Sequence, residues 1–519
     1  MSKRARTAEA KKQPATTERE SKDDAWVESA FASRYNAQPT PKDRIPDGSM
    51  PPSIVYQLIK DMRQLDCNPR LNLASFVTTW MEPEVEKLIV ESMNVNYVDA
   101  EQYPSSTEIQ NRCVAMLAQL YHAPSTGVDE SVGTSTLGSS EAIMLAGLAM
   151  KKRWQARMEA QGKPTNKPNL IMGYNVQVCW EKFTRYFDVE EKFVHLTNDC
   201  FVLTPEKAIE LVDENTIGIC GILGSTYTGE YEDIEKLDEL VEKLNKEKGY
   251  DVKIHVDAAS GGFVAPFVEP DLKWDFRLKN VCSINTSGHK YGLVYPGLGW
   301  VIWRSKEYLP ESIVFHVNYL GSDQASVTLN FSRGAGMIVA QYYQFLRLGK
   351  EGYTKIMMNL GQVARRLQKG IEDTGHFRIL SKDNALPLVA FSLTKTVDKN
   401  GKEEARQYTE FDLADKLRQR GWVLPAYTMA PDARETKLLR AVIREDMSMS
   451  MVDELIKDIT RSVEYLDSHF TINVNDVHKP EGKSLVDAAK EHRVHVKKNE
   501  HHDERHPNKH RLRKHDGVC

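Results

Sequence analysis

The chain is poor in several things, and each shortage excludes something. Its 7 cysteines are scattered over 519 residues without a C-x-x-C pair. Neither a disulfide framework nor a zinc ribbon can be read from them, and a reducing, cytoplasmic setting is expected. No long uninterrupted apolar run is present, so no membrane span is expected. The opening Met-Ser-Lys-Arg-Ala-Arg-Thr lacks the apolar stretch of a signal peptide. Its basic residues, with Lys11 and Lys12, have some likeness to a nuclear-import signal, but a solvated flexible tail is the reading they favour. Charge of one sign is not in excess: the net value is −4, which argues against a dedicated nucleic-acid binder. No repeat of fixed period is visible. What remains is the balance of a soluble globular protein, 41% hydrophobic and 27% charged, and too long for one core. Two packed domains with tails are expected.

Residues 1–40 are polar and short of apolar anchors, and read as a disordered tail. Prolines at 41, 46, 51 and 52 punctuate the approach to an N-terminal helical segment, 41–72, with a helix over 53–66 carrying Ile54, Leu58, Ile59 and Met62 at helical spacing. A large domain over 73–355 alternates helix and strand. Helices are read from Ser139 to about Arg157 and from Ile234 to Lys248, and strands at 169–173, 216–223, 252–256, 281–284 and 299–303. Strands separated by helical patterns imply βαβ units and a mainly parallel sheet. A long helix near 334–370 leads into a small α/β domain, 356–470. It holds strands at 386–392 and 438–443, a loop at 398–401, and helices at 409–420 and 451–466. From 471 to 519 the apolar period is lost and histidine, lysine and arginine dominate, which reads as a flexible tail. Its histidines have no consistent ligand spacing, so no metal site is assigned.

Two short runs carry the chemistry. In Ser287-Gly-His289-Lys290-Tyr-Gly, Lys290 follows small and polar residues just past a strand end, where ligands of open α/β sheets gather. In His255-Val-Asp257-Ala-Ala259-Ser-Gly-Gly, Asp257 ends an apolar strand. A lysine for an aldehyde and an aspartate for a pyridinium nitrogen together suggest pyridoxal 5'-phosphate, an electron sink that the protein aims. The opposite charge of Asp257 would keep the ring nitrogen protonated, although an aspartate at a strand end is also an ordinary turn residue. The phosphate calls for a helix N-terminus with free amides. Thr134-Ser-Thr-Leu-Gly138-Ser139-Ser140-Glu141 fits, with Gly138 for close approach and hydroxyls on Ser139 and Ser140. Ser287 and His289 could add donors. Gln177 is a candidate for the ring face, with Ala259 beneath it, but a structural glutamine would read the same.

Both runs closely resemble the glutamate decarboxylases, pyridoxal-phosphate-dependent group II decarboxylases, and the bacterial and plant branch more than the animal one. Further similar stretches are Thr226-Tyr-Thr-Gly229, Gly299-Trp-Val-Ile-Trp-Arg304, Asn330-Phe-Ser-Arg333 and Ala340-Gln-Tyr-Tyr-Gln-Phe-Leu-Arg-Leu-Gly349. The resemblance covers about residues 35–470. It implies the type I, aspartate-aminotransferase-like α/β fold: a large cofactor domain with a mainly parallel seven-stranded sheet and a small C-terminal α/β domain. It also implies further roles. Ser75, where the family usually has threonine, and Phe76 match the position receiving the substrate's distal carboxylate. Asn96 and Asp99 match residues reaching that pocket from a neighbouring subunit. Arg440 matches the arginine on the α-carboxylate side. Thr226 matches the residue near the cofactor's phenolic oxygen, and Ser332 a phosphate donor contributed across a dimer.

The resemblance implies α-decarboxylation of L-glutamate to 4-aminobutyrate and carbon dioxide by at least a homodimer. Another amino acid as substrate, a lyase of the same fold, or a catalytically silent scaffold are the alternatives. An ionised Asp99 would repel a dianionic substrate, so activity is expected to favour mildly acidic pH. Plant relatives often end in a calmodulin-binding helix with a tryptophan anchor. Residues 471–519 contain no tryptophan and no clear amphipathic stripe, so calmodulin is not an expected partner.

Overall fold

The computed structural model describes residues 40–317, 324–397 and 403–470. The expected tails up to residue 39 and from 471 to 519, with any calmodulin-binding element, lie outside the described residues, as does the loop at 398–401. The chain divides into two compact units, the boundary falling between Cys67 and Asn68. The first contains helix α1 (Pro52–Met62), with proline at its start, where a missing N–H costs nothing. Its expected continuation to 66 tightens into a 3-10 turn at Arg63–Leu65. Ile54 is buried, whereas Tyr56, Ile59 and Met62 are exposed.

The second unit begins with α2 (Pro83–Glu91) and α3 (Pro104–Leu120) and then builds a seven-stranded sheet. Its strands are β1 (Val132–Thr136), β2 (Asn169–Gly173), β3 (Glu190–Val194), β4 (Thr216–Ile222), β5 (Ile254–Asp257), β6 (Val281–Thr286) and β7 (Gly299–Trp303). The spatial order is β1-β7-β6-β5-β4-β2-β3. All neighbours from β6 to β3 run parallel, and β7 is antiparallel to both β6 and β1. The connections are α4 (Ser139–Ala160), α5 (Val178–Tyr186), α6 (Pro205–Glu210), α7 (Ile234–Lys248) and the short α8 (Ala265–Val268). Strands β2, β4, β5, β6 and β7 are buried along their whole length, as expected of a sheet covered on both faces. Val252, expected at the start of β5, precedes it; the Asn245 side chain satisfies both of its backbone groups, so it needs no neighbouring strand.

A hairpin of β8 (Phe315–Val317) and β9 (Gln324–Ser326) precedes α9 (Gly336–Asp373). That long helix was expected as one rod. It breaks at Gly349, whose φ of 58° is left-handed and strained for any residue with a Cβ. Beyond it lies the smaller antiparallel sheet, order β10-β11-β15-β14, made of β10 (Phe377–Ile379), β11 (Leu388–Leu393), β14 (Ala426–Thr428) and β15 (Lys437–Val442). The strands β12 (Thr396–Val397) and β13 (Glu403–Glu404) pair as a separate two-stranded sheet, and α10 (Glu410–Arg418) and α11 (Met449–Phe470) complete the unit. The fold is therefore the expected one: a large, mainly parallel seven-stranded sheet followed by a smaller C-terminal sheet domain.

Candidate active site

Asp257 is the last residue of β5, beside Ile222 of β4 and Asn285 of β6. It is buried at the C-terminal edge of the parallel strands. Its Oδ1 accepts from Asn285 Nδ2 at 3.0 Å and from the Ala259 amide at 3.2 Å, and its Oδ2 accepts from Trp180 Nε1 at 2.9 Å. A carboxylate offers about four acceptor positions, so capacity is left for one more donor. Behind Asn285 lies His255, whose Nε2 is 2.7 Å from Asn285 Oδ1 and whose Nδ1 is 2.8 Å from Ser283 Oγ.

After β6 the chain turns through Ser287, whose amide donates to the Ala259 carbonyl at 3.1 Å. Lys290 follows, half-buried, with Nζ 3.2 Å from Ser260 Oγ and 5.3 Å from the centre of the Phe76 ring. Burial lowers its pKa from the ordinary lysine value; Asp257 and Cys179 oppose that shift and Arg440 adds to it. A lysine held this way is more easily deprotonated and therefore nucleophilic. His289 is pushed down to about 4, first by burial and then by the Lys290 charge, so it is a neutral ring at ordinary pH. Its Nδ1 accepts from the Leu298 amide at 3.3 Å, which leaves the proton on Nε2.

His289 adjoins the start of α4: a Cβ on Gly138 would lie 3.3 Å from its Cε1. Gly299 shows why β7 can press against that helix end, since a Cβ there would be 2.4 Å from the Gly138 carbonyl carbon. The first-turn amides around Ser139 and Ser140 have no acceptor within the helix, the usual setting for a bound anion. Glu141 accepts from the amides of Leu137, Leu329 and Asn330 at 2.8, 3.0 and 3.2 Å, which ties the segment leading to Ser332 to the same helix start. The Ser332 side chain is exposed.

On the opposite side, the loop Leu73–Trp80 is strapped to Lys290 by Thr78, whose amide donates to the His289 carbonyl at 3.0 Å and whose hydroxyl donates to that of Lys290 at 2.7 Å. The loop is held from the small sheet by Arg440, which donates to the Thr226 carbonyl at 2.6 Å and the Ala74 carbonyl at 2.5 Å. Phe76 lies under both cations, with the Arg440 guanidinium 4.9 Å from its centre. Arg440 is fully buried, and among the described residues no carboxylate pairs with it. Arg444, also buried, donates to the carbonyls of Asn72, Ser75 and Pro69 and so fixes the loop around Ser75. Gln177 caps α5 through Oε1, 2.8 Å from the Val178 amide.

Asn96 and Asp99 share one turn, in which the Asp99 amide donates to the Asn96 carbonyl at 3.1 Å. Asn96 bridges Gly334 and accepts the Arg333 amide at 3.3 Å; Asp99 accepts the Gln102 amide at 3.4 Å. Among the described residues, neither makes a hydrogen bond to Lys290, Arg440 or Phe76. Reading the sequence missed Trp180, Asn285, His255, Ser260, Thr78 and Arg444. One signal was present for His255: it stands two residues before Asp257, and alternate residues of a strand share a face.

Pyridoxal phosphate fits these residues. Lys290 is depressed, Asp257 keeps acceptor capacity, a long helix offers its N-terminus, and Ser287 Oγ is buried with no partner among the described residues. The model of the pyridoxal-dependent decarboxylase conserved domain matches residues 47–394, and the chain belongs to that family. Within it, glutamate decarboxylase 5 of Arabidopsis thaliana is 58% identical over 437 residues, 84% of this chain and 86% of that one. Glutamate decarboxylase of Petunia hybrida is 55% identical over 448 residues, 86% of this chain and 88% of the other. The solved glutamate decarboxylase of Lactobacillus brevis superposes with a TM-score of 0.79 at 43% identity, covering 84% of this chain and 97% of its own. The type I pyridoxal-phosphate fold and the pyridoxal phosphate cofactor are thereby established.

Proposed function

We propose that this chain removes the α-carboxylate of L-glutamate, giving 4-aminobutyrate and carbon dioxide. The long, high-identity match to plant and bacterial glutamate decarboxylases supports the substrate. The observation that carries the reading within the site is Arg440, a buried cation with no acidic partner, 4.9 Å from the ring that also receives the Lys290 ammonium. An anionic substrate group would balance it.

When bound, pyridoxal phosphate supplies an electron sink for the carbon that loses its carboxylate. Lys290 is the residue for the cofactor's aldehyde and, with its lowered pKa, can give up and take back a proton near Cα. Asp257, held by three donors with acceptor capacity left, would meet the ring nitrogen. The start of α4, with Ser139 and Ser140, and the hydroxyl of Ser287 serve the phosphate, joined by His289 and Ser332. Ala259 and Gln177 would flank the ring, and Thr226 would serve the phenolic oxygen. Arg440 orients the α-carboxylate side, and Ser75 and Phe76 receive the distal end. Asn96 and Asp99 would complete that pocket in a homodimer, reaching it from the neighbouring copy. The described cysteines are all unpaired, which supports a cytoplasmic setting; among the described residues no helix is long and apolar enough to cross a membrane.

Purified protein incubated with L-glutamate, with and without added pyridoxal phosphate, should release 4-aminobutyrate and carbon dioxide in a cofactor-dependent way. Turnover of aspartate or aromatic amino acids with glutamate left untouched would overturn the assignment.

A further inference from the structure

We propose that Ser283, His255 and Asn285 form a one-way hydrogen-bond chain that positions the Asp257 carboxylate with every donor pointing towards it. The three act as positioning residues through Asp257. This rests on the reading that Asp257 serves the cofactor's ring nitrogen.

The direction of the chain follows from its end. Asp257 Oδ1 can only accept when ionised, so the Asn285 group 3.0 Å away is the amide nitrogen. The amide oxygen then faces His255 Nε2 at 2.7 Å and must accept from it. The imidazole therefore carries its proton on Nε2, and Nδ1, 2.8 Å from Ser283 Oγ, must accept the hydroxyl proton. Each donor points towards Asp257. Reversing the chain would need a protonated Asp257.

Placement argues that the chain is more than a satisfied patch of core. Register pairs His255 with Ser283 and Asp257 with Asn285, so the four side chains alternate with apolar neighbours on two adjacent strands. His255, Ser283 and Asn285 each have 0% relative exposure. Fully buried polar groups destabilise a core unless every one is paired, and here the pairing ends on the one acid at the sheet edge that the site uses. The Trp180 ring, whose Nε1 binds the other oxygen of Asp257, stands edge-on to His255 with centroids 5.2 Å apart and limits rotation of the imidazole. Asp257 is the charged group facing His255, and burial outweighs it, holding the imidazole down at about 4 and so neutral. The one-way pattern thus persists through neutral and mildly acidic conditions.

The test uses the full-length enzyme loaded with pyridoxal phosphate. Wild type is compared with Asp257→Asn, Asn285→Ala, Ser283→Ala, His255→Phe and His255→Gln. Two properties are read besides turnover: the pH midpoint of the visible absorption of the lysine-bound cofactor, and the rate of cofactor loss on dilution. Asn285→Ala and His255→Phe should move the midpoint by about one unit and speed cofactor loss about tenfold. Ser283→Ala should change both in the same direction by less. His255→Gln, which can still donate to Asn285, should stay closer to wild type than His255→Phe. Asn285→Ala and Ser283→Ala add no bulk, so they decide the matter if a His255 variant does not fold. Wild-type midpoint and cofactor retention in both, with Asp257→Asn altered, would overturn the chain. An unaltered Asp257→Asn would instead overturn the reading of Asp257 itself.

Discussion

Asp257 and Asp99 are both acids assigned to one active site, yet the protein holds them in opposite ways. Asp257 ends a central strand, is buried, and receives three hydrogen bonds of 2.9–3.2 Å. Asp99 sits in a turn, half-buried, and accepts one amide at 3.4 Å. The difference teaches how the work is divided. Under the proposed roles, the group that would set cofactor electronics is fixed by the sheet, where rotation would break several bonds at once. The group that would meet the substrate's distal end is carried on a loop, where adjustment is cheap.

Removing the lysine tests the rigid half most severely. Lys290→Ala should lower turnover at least about 10⁴-fold, read as 4-aminobutyrate formation, while the fold persists; an active variant would contradict the role. Asp257→Asn comes next. It brings a donor against Trp180 or Asn285, and turnover should fall about 10²- to 10⁴-fold, with stability lower by about 1–3 kcal/mol in denaturant titration. Arg440→Lys loses the fork that spans the Thr226 and Ala74 carbonyls. It should reduce kcat/KM by roughly 10- to 100-fold, measured at saturating cofactor.

On the loop side, Asp99→Asn should change activity by less than about tenfold. Its clearer effect should be a smaller ratio of acidic to neutral rates, since the repulsion of a dianionic substrate is removed. A loss as large as that of Asp257→Asn would erase the contrast between the two acids.

The smallest effect concerns stability against pH. His255 and His289 are held at about 4, against 6.5 for a free imidazole, so unfolding takes up two protons between those values. Their contribution is complete above pH 6.5 and declines as pH falls to about 4. Glu232, pushed up to about 7 by burial, works the other way, releasing a proton on unfolding between 4.5 and 7. His376, lowered by burial, and Glu445, raised by it, add one group to each side, so the balance stays a net loss towards acid. Urea midpoints at pH 5 and 6 check it, and His255→Gln should flatten the slope.

Much of this was legible in the chain. Lys290, Asp257 and the Ser139-Ser140 helix start could be read because each sits in a local run of small residues after an apolar strand or before a helical pattern. The edge strands β1 and β3 could not, because Val-Gly-Thr-Ser-Thr and Glu-Glu-Lys-Phe-Val lack a continuous apolar signature. The break at Gly349 was hidden inside a helical period that continues on both sides. Arg444 and Thr78 are distant in sequence from what they hold, so no spacing rule points to them.

By itself, the sequence determined the fold class, the cofactor chemistry and the family, since hydrophobic periodicity and short motifs are local properties. Only the tertiary structure decided that Asn285 and Trp180 grip Asp257 and that Arg440 lies buried without an acid beside Phe76. It also decided that Asn96 meets the Arg333–Gly334 backbone, while Asp99 accepts the Gln102 amide. Those facts depend on which strand ends meet and which loops cross them, and such long-range juxtaposition leaves no periodic trace along the chain.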